Sequence, residues 1–257
     1  MSLTPIALLP ALPSELLDYI LVHQAYPTTL VICQPRATFL SSLSNAIKHN
    51  PPPPPADPDT SETLSAEAPQ RHPLLIPTLH QVATSRHINL VFISNVTHLR
   101  AYLAVFPGPE PNGVSPKWEW DKSGKKGRRV PLLVAYRVVG LHKDTSEWSA
   151  QGLGNSLAGL VEVGVRCGRR IVVVEEKRPE DGEEDGAGEM TDEVAGEERR
   201  KTCKVWEERV PMLNGSVRRV GLESEEGGWS GRTVEVGRIL ARWFKFKKGD
   251  WDSEGPT

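Results

Sequence analysis

The stretch that decides the fold runs from Val130 to Glu175: VPLLVAYRVVGLHKDTSEWSAQGLGNSLAGLVEVGVRCGRRIVVVE. It opens on an apolar run, Val130 to Tyr136, and closes on another, Ile171 to Val174. Between them Leu153, Leu157, Leu160, Val161 and Gly164 recur at helical spacing, which predicts a helix over residues 148–166 with one apolar face. Asp144 with Glu147 three residues on supplies a start signal, and Gly168 a stop. Both runs are too apolar for half-exposed strands, and short strands buried on both faces belong to parallel sheets. Strand, crossover helix and strand then make a right-handed βαβ unit.

The segments before this unit repeat its logic. Pro13-Ser14-Glu15 opens a helix with Leu16, Leu17, Ile20 and Leu21 on one face, ending before Pro27. Thr28 to Cys33 and Ile88 to Ser94 read as strands. Phe39 to Ile47, Pro73 to Thr84 and His98 to Phe106 read as helices, with Leu75, Leu79 and Val82 the apolar positions of the second and Leu99, Leu103 and Phe106 inward in the third. After it come Trp206 to Leu213, Ser216 to Val220, and a piece from Arg232 to Phe246. That last piece fits a helix by the spacing of Val236, Ile239, Leu240, Trp243 and Phe244. By its β-branched and aromatic content, with Gly237 inside, it equally fits two strands joined at a bend.

Two segments lack the apolar residues needed to pack. Residues 50–71 begin with five prolines, Pro51 to Pro55, and residues 179–200 are acidic and Gly-rich; both read as disordered insertions in a single domain spanning 1–257. The net charge of −2 excludes a uniformly basic nucleic-acid binder but leaves room for local patches. Three scattered cysteines, Cys33, Cys167 and Cys203, make neither a disulfide frame nor a zinc site. The apolar start, Met1 to Leu12, carries Pro5 and Pro10 and no basic flank, so it reads as neither signal peptide nor membrane span, and no run approaches the ~18 apolar residues of a spanning helix.

No catalytic set emerges. A phosphate loop would read GxxxxGK followed by Ser or Thr, after a strand and before a helix. The nearest cluster, Ser123 to Gly127, lacks the outer glycine and the hydroxyl residue, and precedes a strand. Strand 132–135 ends in Tyr136-Arg137 where a metal-holding carboxylate would stand, and strand 30–33 ends in Gln34-Pro35-Arg36. Ser149 and Ser156 lack a nucleophile elbow. Glu175 and Glu176 end a strand and are accounted for by the acidic segment beyond them. Cys33 reads as a small core hydrophobe. No nucleotide, metal or other cofactor is expected. Two basic features stand out. One is the loop holding Lys122, Lys125, Lys126, Arg128 and Arg129, close to Trp118 and Trp120. The other is Arg238, Arg242, Lys245, Lys247 and Lys248, interleaved with Trp243, Phe244 and Phe246. Lys and Arg suit phosphates and aromatics suit unpaired bases, so Lys122, Lys125, Lys126, Arg128, Arg129, Arg242, Lys245 and Lys247 are candidate DNA contacts. The alternative is a solvated loop and a snorkelling edge strand.

The order of elements resembles the core of RecA-type recombinase paralogues. TLVICQP with RATFLSSL resembles their second core strand and its helix, and INLVFISNVTHLRAYLAVF the next pair. VPLLVAYRVVGLHKDTSEW resembles the strand and loop of the Walker B position, and LGNSLAGLVEVGVRCGRRIVVVE the following helix and strand. KVWEERVPMLN and the segments through ARWFKFKKG resemble the C-terminal region, where antiparallel strands follow a Trp and an Arg. The chain departs from these paralogues at the nucleotide site: the N-terminal strand and phosphate loop are absent or replaced by Leu12 to Gln24, and Tyr136-Arg137 replaces Walker B. The resemblance therefore implies an α/β, RecA-like three-layer fold, with a mostly parallel sheet and antiparallel C-terminal strands. It also implies a non-catalytic subunit acting in the nucleus in DNA recombination and repair, as in Shu-type mediators, partnered by another RecA-like subunit or a SWIM zinc-finger protein. The alternatives are an Elongator-type subunit for tRNA modification, in the cytoplasm, and an α/β enzyme with an unrecognised site.

Overall fold

The computed structural model describes residues 3–23, 27–49, 72–108, 130–177, 204–213, 232–249 and 251. The Pro-rich and acidic segments, the Lys122 to Arg129 loop, Trp118, Trp120, Cys203 and Ser216 to Val220 lie outside them. The strands are β1 (Ile6–Leu8), β2 (Thr28–Ile32), β3 (Ile88–Phe92), β4 (Leu132–Tyr136), β5 (Arg170–Val174), β6 (Arg209–Pro211), β7 (Thr233–Glu235) and β8 (Lys245–Lys247). The helices are α1 (Pro13–His23), α2 (Arg36–His49), α3 (Leu79–Ser85), α4 (Val96–Ala104), α5 (Val138–His142), α6 (Ala150–Cys167), α7 (Lys204–Glu207) and α8 (Val236–Leu240), with a 3-10 turn at Pro73–Leu75.

Six strands form one sheet in the order β3-β2-β4-β5-β1-β8, and every pairing in it is parallel. The unit that opened the sequence reading is present: β4 and β5 pair from Leu132 with Arg170 to Tyr136 with Val174, and α6 connects them. Side chains alternate along these strands, so each feeds two cores. Val31, Leu133, Ala135, Ile171 and Val173 meet α4, α5, α6 and α8 on one face. Leu30, Ile32, Leu132, Val134, Val172 and Val174 meet α1 and α2 on the other. The result is a three-layer α/β architecture. No helix among the described residues is long and apolar enough to cross a membrane.

Helix α6 shows how local sequence sets the packing. Its start is Ser149, whose hydroxyl accepts from the Gly152 N–H at 3.0 Å, in place of the Asp144–Glu147 signal. Its stop is Gly168, left-handed at φ 62°, as the sequence indicates. Leu153, Leu157 and Leu160 are fully buried, whereas Val161 lies at the margin of the core. Gly164 lets the helix lie close on β5: a Cβ there would meet Ile171 Cγ1 at 2.5 Å. Arg166 ties α6 to the end of α4, donating to the carbonyls of Leu103 and Phe106 at 3.0 and 3.1 Å.

Several expectations are corrected. An N-terminal strand does exist: β1 inserts between β5 and β8, and Leu12 to Gln24 supplies α1, not a replacement for that strand. Pro5 and Pro10 bracket β1 and obscure it in the sequence, yet Pro5 still accepts from the Lys245 N–H at 3.0 Å. The antiparallel pair at the C-terminal end is β6 with β7, while β8 joins the main sheet parallel to β1. The ambiguous final piece is mixed, giving β7, then α8, then β8. The helix expected from Pro73 is broken at Pro77. A capping box between Thr78 and Gln81 starts α3 afresh, and Leu79, one of the apolar positions of the expected helix, is 90% exposed. Helix α5 has no counterpart in the sequence reading.

The contrast between two glycines of α6 is testable. Gly164→Ala forces a methyl into Ile171 and the Arg169 carbonyl and should cost about 1–3 kcal/mol of unfolding free energy by urea titration. Gly154→Ala meets nothing closer than 3.9 Å and should be neutral or stabilising, by up to about 1 kcal/mol, because alanine is the better helix former.

Candidate functional site at the carboxyl edge of the sheet

Open α/β sheets take ligands beyond the carboxyl ends of their strands, where neighbouring strands send their helices to opposite faces. Strands β2 and β4 are such neighbours: α2 lies on one face and α5 with α6 on the other. Gln34 follows β2, Arg137 follows β4, and Glu175 and Glu176 follow β5. The loop Leu9 to Leu12 between β1 and α1 completes the rim.

Arg137 sits in the left-handed region at φ 64°, an uncommon backbone state for a side chain of its size. Its N–H donates to the Val174 carbonyl at 2.8 Å and its carbonyl accepts from Leu141 at 3.1 Å, so the turn is held from both sides. The guanidinium reaches across the rim. Nη1 donates to Gln34 Oε1, and Nε pairs with Glu176 at 3.3 Å. Gly140 is what lets this side chain fold back over α5, since a Cβ there would meet Arg137 Cγ at 2.7 Å. Gln34 is buried, and its Nε2 finds no partner among the described residues.

Glu175 is not explained by the acidic segment beyond it. It is 3% exposed, and its carboxylate accepts from the N–H groups of Val139 at 2.8 Å and Gly140 at 3.2 Å. It thereby caps α5, whose own N-cap residue Arg137 offers no side-chain bond. Burial pushes its acid dissociation up to about 7, against the pull of those two N–H groups, Arg137 and Lys143. Its main-chain carbonyl accepts from Ala11 at 2.9 Å, and Lys177 returns a bond to Ala11 at 3.0 Å. Tyr136, fully buried, donates its hydroxyl to the same Ala11 carbonyl at 3.2 Å.

Strand β1, the loop Leu9 to Leu12 and helix α1 have the strand, loop, helix order that a phosphate loop takes. Here Pro10 and Pro13 have no N–H to offer. The Ala11 N–H is bound to Glu175, and the Leu12 N–H donates to Glu15 Oε2 at 2.7 Å. A carboxylate therefore occupies the N-terminal end of α1, where an anion would be drawn by the helix dipole.

A second polar cluster runs from buried His142 and Ser156 out to half-buried Arg100 and Glu147. His142 Nδ1 donates to the Val138 carbonyl at 2.8 Å, so its Nε2 accepts from the Ser156 hydroxyl at 3.0 Å. Ser156 also accepts from Arg100 Nε at 3.2 Å, and Arg100 pairs with Glu147 at 2.7 Å. A serine beside a histidine can be a nucleophile and its base. In this cluster no carboxylate orients the ring, and both residues are fully buried. Burial, aided by Arg100, lowers the readiness of His142 to take a proton. The cluster locks α4, α5 and α6 together; nothing in the spacing of His142, Ser156 and Arg100 signals it. Cys33 is buried with its thiol pushed up by desolvation, in keeping with a core hydrophobe.

Of the candidate DNA contacts, Lys122, Lys125, Lys126, Arg128 and Arg129 lie outside the described residues. Lys245 and Lys247 are exposed at alternate positions of β8, opposite Ile6 and Leu8, and so project to the α1 face. Arg242 precedes β8, with its guanidinium 5.2 Å above the Trp243 ring. Trp243 is partly buried and packs against the core. Phe246 meets Trp206 edge to face at 5.9 Å.

The linkage of Glu175 has a definite sign. Unfolded, it dissociates near the ordinary 4.5; folded, near 7. Its contribution to stability is thus fully present below about 4.5 and is lost as pH rises through about 7. Glu175→Gln should carry a constant penalty for setting an amide against one of two N–H donors. The variant's stability relative to wild type should nevertheless improve by up to about 3 kcal/mol between mildly acid and mildly alkaline pH. Urea titrations across that range check it; a flat difference would show that Glu175 does not titrate there. Compared with known proteins, the chain matches no family profile and no curated relative.

Proposed function

We propose that this chain is a non-catalytic α/β subunit of a DNA recombination and repair assembly, working in the nucleus through contacts with a RecA-like or SWIM zinc-finger partner and with DNA. The observation that carries the reading is the state of the carboxyl edge. There the N–H groups of Ala11, Leu12, Val139 and Gly140 are bonded within the chain, Pro10 and Pro13 have none to offer, and Arg137 is engaged by Gln34 and Glu176. At the β1–α1 loop and the end of β5 a triphosphate would meet the carboxylates of Glu15 and Glu175 in place of free N–H groups. The segments that resemble recombinase paralogues support the same reading, since they form β2, β3, β4 and β5 of one parallel sheet. Lys245 and Lys247, with Arg242 before them, support a DNA contact outside that closed edge.

Three experiments test this. Calorimetry with ATP and magnesium should give no binding at micromolar concentrations; micromolar affinity, or turnover that survives re-purification, refutes the non-catalytic reading. Native purification should return a recombination subunit as the stoichiometric partner. With single-stranded oligonucleotide, Arg242→Gln, Lys245→Gln and Lys247→Gln together should weaken binding. They should also flatten the slope of log affinity against log salt by about 2, the share of three phosphate contacts. An unchanged slope would remove these residues from the DNA site.

A further inference from the structure

The two edges of the main sheet are built differently. Strand β8 carries Lys245 and Lys247, the side chains by which proteins guard an open edge against pairing. Strand β3, at the other edge, reads Ile88-Asn89-Leu90-Val91-Phe92, with no charge, no proline and no bulge against β2. Among the described residues it is hydrogen-bonded to β2 alone. Leu90, at its centre, is 50% exposed, while Ile88, Val91 and Phe92 are partly buried against the two cores. An unguarded edge of this kind offers main-chain N–H and C=O groups that only another extended backbone can match.

We infer that β3 is a self-association edge: a second copy of this chain pairs with it antiparallel about a two-fold axis through Leu90. The choice of a second copy rests on self-complementarity. A two-fold pair centred on Leu90 sets Leu90 against Leu90 and Ile88 against Phe92, so apolar meets apolar on the face they share; Asn89 faces Val91 on the other, and no like charges oppose each other. Pairing β3 with β8 of another copy would instead bring the guarded edge into contact and would propagate without closing. The two-fold arrangement closes at a dimer, with one continuous sheet running through both copies. The inference goes beyond the proposed function and does not depend on it.

The test is the mass of the full chain in solution by sedimentation equilibrium or light scattering. Wild type should show a concentration-dependent rise towards twice 28.4 kDa. Leu90→Lys places two ammonium groups on the axis at an exposed position and should return the monomer mass at the same concentration, with its melting transition unchanged. Leu90→Ile, which keeps an apolar strand former, should still dimerise. Leu90→Cys should give a covalent dimer on mild oxidation while wild type does not, because facing Cα atoms of antiparallel strands lie within disulfide reach. A wild type that stays monomeric overturns the inference. So does a dimer that survives Leu90→Lys, or one that Leu90→Cys fails to cross-link, since each places the contact on another surface.

Discussion

A parallel sheet must be covered on both faces, and that constraint organises this molecule. Ile171 and Val173 of β5 turn to one layer of helices, and Val172 and Val174 to the other. Burying four consecutive apolar side chains contributes on the order of 1.5–3 kcal/mol each before chain entropy is counted. The helices are placed to serve that burial. The close approach at Gly164, the caps at Ser149 and Gly168, and the Arg166 tether all hold α6 against the β4–β5 pair. The Arg100–Ser156–His142 cluster fixes the short α5 and the end of α4 to the same helix.

The same constraint shapes the rim. Strand ends and helix starts converge at the carboxyl edge, and each brings main-chain groups that need partners. In a ligand-binding sheet the ligand supplies some of them. Here Glu175 accepts from Val139 and Gly140 of α5, Glu15 accepts from Leu12 just before α1, and Ala11 is bonded on both its N–H and its carbonyl. Bonding the rim from within is costly, because Glu175 is a buried acid displaced towards neutrality and the Gln34 amide keeps a donor unmatched among the described residues. These bonds join β1, β5, α1 and α5 to one another at that end of the sheet.

How much of this was legible in the sequence depends on the range over which each signal acts. Periodicity found β2, β4, β5, α4 and α6 because their patterns are long and their burial is deep. Gly168 was readable because a left-handed cap needs only local chemistry. Strand β1 was hidden because three residues between prolines carry no period, and its burial comes from β5 and β8, far along the chain. The direction of β8 is not readable for the same reason: nothing local distinguishes parallel from antiparallel pairing. Helix α5 is too short for periodicity, and its cap, Glu175, lies on another element. At Leu79 a local signal, the Thr78 capping box, overrode the apolar spacing on which the longer helix rested.

The placement of β1 has a consequence for how the chain reaches its native state. Ile6 pairs with Val172 on one side and with Lys245 on the other, so the first described strand is among the last to be satisfied. During synthesis β2 and β3 can pair early, and β4 can join them, but β1 must wait for most of the chain to emerge. Closing loops of that length before any contact rewards them makes folding slow, and it leaves an apolar segment without its partners in the meantime. The prolines on either side of β1 then act in time as well as in space. They keep a waiting strand short and poorly suited to pairing with the wrong chain.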